Sequence, residues 1–86
     1  METIKVSSRS VPKAVAGAIA AVLRTDNTAE VQAVGAGAVN QAVKAIAIAR
    51  MYLHEEDKEV ACAPYFSELD VSGTEKTGLS FKVFLM

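Results

Sequence analysis

Tryptophan is absent from this chain of 86 residues, proline occurs twice, and cysteine and histidine once each. A lone Cys62 excludes an internal disulfide framework. One cysteine with one histidine cannot complete a structural zinc site. Long apolar runs are missing too, because Arg24, Lys44 and Arg50 interrupt every candidate for a bilayer span. No basic, apolar and small-residue opening marks a signal peptide, so a cytoplasmic protein is expected. An excess of positive charge is also lacking: nine basic against ten acidic side chains leave a net charge of -1. A dedicated nucleic-acid packager would be clearly basic, because its affinity comes largely from neutralised phosphates.

What is present is apolar and small. Hydrophobic residues make up 51% of the chain, carried mainly by alanine and valine, which excludes a disordered tail. A chain of this length forms one domain, residues 1–86, with room for one core and little for a deep enzymatic cleft. The surplus of apolar surface points towards self-association. Charge is unevenly spread. Residues 1–50 carry six basic and three acidic side chains, and residues 51–86 carry three basic and seven acidic. The first half therefore offers a local basic face.

The periodicity predicts strand, helix, strand, helix, strand, strand. Residues 3–7 alternate, with Ile4 and Val6 on one side. Ser10 is the expected N-cap of a helix over residues 11–24, with Pro12 in its first turn. Its core stripe reads Val11, Val15, Ala18, Ile19 and Val22, with Gly17 and Ala20 on the reverse. The interior Gly17 implies close approach by a neighbouring element, since it otherwise costs about 1 kcal/mol. A second strand over residues 30–34 leads through Gly35–Ala38 into a helix over about 39–53. That helix has Val39, Ala42, Val43, Ile46, Ala49 and Leu53 as its core stripe. Arg50 falls within the stripe and is expected to snorkel or to pair with a carboxylate or carbonyl. A third strand begins near Glu59 and runs to Tyr65. Pro64 marks it as an edge or a bulge, and Cys62 is read as a small buried residue. The stretch 71–75 is a turn, and Leu79–Leu85 alternate as the last strand. A βαβ unit followed by a hairpin gives an α+β two-layer sandwich: a four-stranded mixed sheet with both helices on one face.

The segment VGAGAVNQAVKA, residues 34–45, joins a strand to a helix, where free amides and the helix dipole can hold an anion. The dinucleotide fingerprint is incomplete, with Asn40 where a third glycine belongs, and no lysine followed by serine or threonine completes a phosphate loop. Gly35 and Gly37 are thus read first as turn residues that allow tight packing. No cofactor is expected. His54 reads as a helix cap, and the acidic run from Glu55 to Glu59 as a solvated loop rather than a metal site. Tyr65, Phe66, Phe81 and Phe84 are read as core or as a dimer seam rather than as base-stacking residues. Nothing pairs a nucleophile with a base, so no enzymatic activity is expected.

The stretches TIKVSSRSVPKAVAGAIAAVL and EVQAVGAGAVNQAVKAIAIAR resemble the stage V sporulation protein S family over nearly the whole chain. That family is in turn similar to the Alba superfamily of DNA- and RNA-binding proteins. The resemblance implies a βαβαββ Alba-like fold, a homodimer or higher assembly, and a regulatory role in sporulation and cell development. Alba proteins place paired lysines in the loop before the first helix, where this chain has Ser8 and Arg9. They place charges in the second turn, where it has Gly35, Gly37 and Gln41. Their basic hairpin arm corresponds to Asp70–Lys76, which is mixed and slightly acidic. Ser8, Arg9, Lys13, Asn40 and Lys44 are the candidate contacts to DNA or RNA. Ile48 and Tyr52 form an apolar strip that, with Phe84, is the candidate oligomer interface. The alternative is a protein-interaction or scaffolding module that keeps the fold without binding nucleic acid.

Overall fold

A computed structural model describes residues 1–86. Its elements are β1 (Glu2–Val6), α1 (Pro12–Asp26), β2 (Thr28–Ala33), α2 (Ala36–His54), β3 (Val60–Val71) and β4 (Thr74–Leu85). The sheet order is β1-β2-β4-β3, with β1 and β2 parallel and the other pairs antiparallel. This is the expected βαβαββ mixed sheet. Register explains how it is covered. Ala29, Val31 and Ala33 of β2 are buried beside Val83, Phe81 and Leu79 of β4, and both helices lie over that face. The alternate residues, Glu30 and Gln32 among them, lie on the sheet's uncovered face.

Both helices are rotated relative to the expected stripes. On α1 the buried residues are Ala16, Ile19, Ala20, Val22 and Leu23, while Val11 is 62% exposed and Ala18 lies outside. On α2 they are Ala38, Ala42, Ala45, Ile46, Ala49 and Leu53, leaving Val43 half exposed. The cause is the helix pair itself. α1 and α2 pack extensively on each other as well as on the sheet. Alanine lets two backbones approach more closely than valine does, so the small residues take the shared side. Gly17 has no part in this. A Cβ added there would meet nothing within 4 Å, whereas Ala16 and Ala20 on the same helix are buried.

Boundaries differ from expectation for local reasons. The residue before α1 is Val11, with no side-chain cap; the Ser10 hydroxyl instead accepts a 2.9 Å bond from the Ser7 amide. α1 ends at Asn27, whose left-handed φ of 65° lets its amide reach the Leu23 carbonyl at 3.2 Å. Helix α2 starts at Ala36, three residues sooner than expected, because Gly35 alone makes the corner at φ 90°. Cys62 is exposed rather than buried, because β3 is an edge strand and α2 does not cover it there. Burial of part of its surface still pushes its thiol pKa upward. Arg50 leaves the core as expected and pairs with Glu59, Nε to Oε1 at 2.6 Å.

Candidate nucleic-acid interface

The site follows from topology. Since β1 and β2 run parallel and their last paired residues are Val6 and Ala33, both strand-to-helix junctions open at one edge of the sheet. β4 runs the opposite way, and its contact with β2 stops at Leu79. From there the β3–β4 ladder continues alone for five pairs, Ser67↔Gly78 to Val71↔Thr74, as an arm beyond the same edge. The arm turns at Ser72 and Gly73, both at positive φ as a type I′ hairpin requires. It helps stretch the molecule to 41 Å in its longest dimension.

The two junctions touch. Gln41 on α2 donates from Nε2 to the Ser8 carbonyl at 3.3 Å and the Ser10 carbonyl at 3.1 Å. A Cβ on Gly37 would lie 3.0 Å from Cβ of Ser8, so the missing side chain allows this approach. The first loop is also bonded to itself, with the Arg9 amide donating to Ser7 Oγ at 3.2 Å and the Ser10 amide to the Ser7 carbonyl at 3.1 Å. Ser8, Arg9 and Gly37 therefore share one rim, with Lys13 on the first turn of α1, Asn40 one turn into α2 and Lys44 about two turns into it.

Electrostatics at this rim are permissive to anions. Neither helix has a side-chain cap or an acidic residue in its first turn, so two positive dipole ends face the same edge. Arg9, Lys13 and Lys44 are exposed and make no ion pair. All three ion pairs, Arg24–Glu56, Lys58–Glu56 and Arg50–Glu59, involve the opposite end of the helix layer and the loop that follows it. There the hydrogen bond from Arg24 holds the Glu56 carboxyl below the usual range, and Arg50 does the same for Glu59. Stability from these depressed carboxyls is present above the ordinary carboxylate range and lost as pH falls through it. The exposure of all four partners keeps it small. The arm is not basic: register places Glu68, Asp70 and Glu75 on its helix side and its one lysine, Lys76, on the other side with Leu69.

The remaining candidates fall elsewhere. Ile48 is half-buried against the core, and Tyr52 on the same side of α2 is 39% exposed. Phe84 is half-buried on the uncovered sheet face, so these three do not form one patch. Of the aromatics, Phe81 enters the core, while Phe66 is 80% exposed. No three His, Cys, Asp or Glu side chains gather as a metal-binding group. No helix is long and apolar enough to cross a membrane. Gln41 escaped the sequence reading as a rim residue. Its available signal was a lone amide on the α2 face that also carries Ala45 and Ile48.

The family model described as stage V sporulation protein S (SpoVS) matches residues 2–86. The chain belongs to the stage V sporulation protein S family. Membership ties it to sporulation, and the segment that forms the joined rim, Ser8 to Lys44, lies wholly within the matched region.

Proposed function

We propose that this member of the stage V sporulation protein S family is a non-enzymatic, cytoplasmic regulatory protein that binds nucleic acid through the joined rim. The observation that supports this most is the Gln41 bridge, which joins two uncapped helix starts on one edge beside the unpaired Arg9 and Lys13, with the unpaired Lys44 about two turns along α2. Phosphate oxygens are the natural ligands of such a surface, because amides and cations position a backbone without reading its bases. With two to four phosphates neutralised, log affinity falls by only about 0.9 per phosphate against log salt. The test is retention of labelled DNA and RNA at about 50 mM salt, where phosphate contacts are strong. Arg9→Ala with Lys44→Ala should weaken retention about tenfold and flatten the salt slope by roughly two. No retention by the unaltered protein overturns the reading and leaves a scaffolding module.

The same reading has the chain act as a homodimer. Between α2 and the β3 edge, Val43, Ile46, Ala47 and Cys62 line a groove of about 210 Å³. Its one cation, Arg50, is neutralised by Glu59 within the chain. An isologous pairing of this patch would bring two apolar grooves together with no unpaired cation at their centre. Val43→Glu should convert the species seen by light scattering to monomer; an unchanged mass rejects this face.

A further inference from the structure

Ser80 is fully buried, although it lies on the sheet face that neither helix covers. Its cross-strand partner on β3 is Tyr65. The Tyr65 hydroxyl donates to Glu30 on β2, which is two strands away in the sheet order. Neighbouring strands are about 4.8 Å apart. The phenol therefore lies along the sheet and roofs Ser80, with Ser67 Oγ closing another side at 2.7 Å. Tyr65 remains 43% exposed, so the outer side of the ring meets solvent. The hydrogen bond that it donates to Glu30 pushes the phenol pKa upward.

Two lysines and one carboxylate surround this plate. Lys82 stands opposite both Glu30 and Ala63, and Lys5 stands opposite Gln32, all on the uncovered face. Neither lysine makes an ion pair. Glu30 is the one carboxylate on the four-stranded part of this face, and both its oxygens are engaged. Oε2 accepts from Tyr65, and Oε1 accepts from Gln32 at 2.9 Å and Thr3 at 3.3 Å. A cavity of about 290 Å³ continues from Lys5 past Ser7 and Ser8 to Leu69 and Val71 of the arm. Gln32, the β2 neighbour of Ser80, and Asp70 also line it, and Ser8 is the rim residue it reaches.

We infer that Tyr65 is a stacking platform for an unpaired base of single-stranded nucleic acid, with Lys5 and Lys82 taking the flanking phosphates. A flat ring pinned to a sheet offers its face to any splayed base, whereas bases inside a duplex have both faces occupied. The inference rests on the nucleic-acid reading for its ligand class and stands on residues outside the rim set.

The chain has two tyrosines and no tryptophan, so Tyr52→Phe leaves Tyr65 as the sole fluorescent reporter. Short oligothymidylate and oligouridylate should each quench its emission on titration. Tyr65→Ala should weaken their binding about five- to a hundredfold, while Tyr65→Phe, which keeps the ring, stays within about twofold. Duplex binding should be unchanged in both variants, with far-UV circular dichroism checking the fold. Full affinity in Tyr65→Ala overturns the platform, as does an equal loss in Tyr65→Phe, or no quenching by either strand. If only the Arg9→Ala, Lys44→Ala protein loses binding, the platform fails and the rim stands. If only Tyr65→Ala loses binding, the rim fails and the platform stands.

Discussion

Gly78→Ala is expected to destabilise the protein by about 3 kcal/mol, at the upper end for overpacking. The added Cβ would sit 2.7 Å from the Ala33 carbonyl oxygen, 2.8 Å from Val34 Cγ2 and 3.0 Å from Leu69 Cδ1. The first of these is main chain at the end of β2, held by its ladder to β1 and β4, so it cannot swing aside. Relief requires the arm to lift from the sheet at its root. Thermal unfolding should show this as a fall in Tm of the order of 15 °C. Gly17→Ala is the internal control: the same substitution in open space within α1 should stabilise the helix by up to about 1 kcal/mol. Equal melting temperatures for the two variants would show that the arm's root is not tightly packed.

Gln41→Glu should cost about 2 kcal/mol at neutral pH with almost no change of shape. The amide nitrogen that serves the Ser8 and Ser10 carbonyls would be replaced by a carboxylate oxygen, which has no proton to give. Two acceptors then face a third that is charged. Disfavouring the charged form raises this carboxyl's folded pKa, so the deficit grows as pH rises through the carboxylate range and shrinks below about pH 4. Urea unfolding at neutral pH and at about pH 4, each compared with the unaltered chain, reads the difference. A deficit independent of pH would mean that the glutamine acts through packing and not through its two donated bonds.

Much of the fold is legible from the residues, and the failures have physical causes. Alternation at Ile4 and Val6 and from Leu79 to Leu85 marks strands with one buried face. The alternation ends at Gly78 because the arm beyond it pairs only with itself and covers no core. Its ten residues in ladder therefore carry no apolar rhythm to read. The helices are found with their faces turned, because hydrophobicity ranks valine above alanine while a close helix pair ranks them by size. The rim is legible in outline: a parallel β1–β2 pair forces both helix starts to one edge, and Arg9, Lys13 and Lys44 are visible as charges. What the sequence hides is the joint. Gln41 reads as an uncharged replacement in a helix, and its use as a two-pronged bridge appears only once Ser8 and Ser10 are beside it.

Pro64 sits within the twelve-residue outer strand β3 without breaking its ladder to β4. Proline is tolerated in a ladder where its missing N–H faces away from the neighbouring strand. A further strand laid along that margin would find a gap where a donor should be, which blunts this one of the sheet's two edges, β1 being the other, against strand addition.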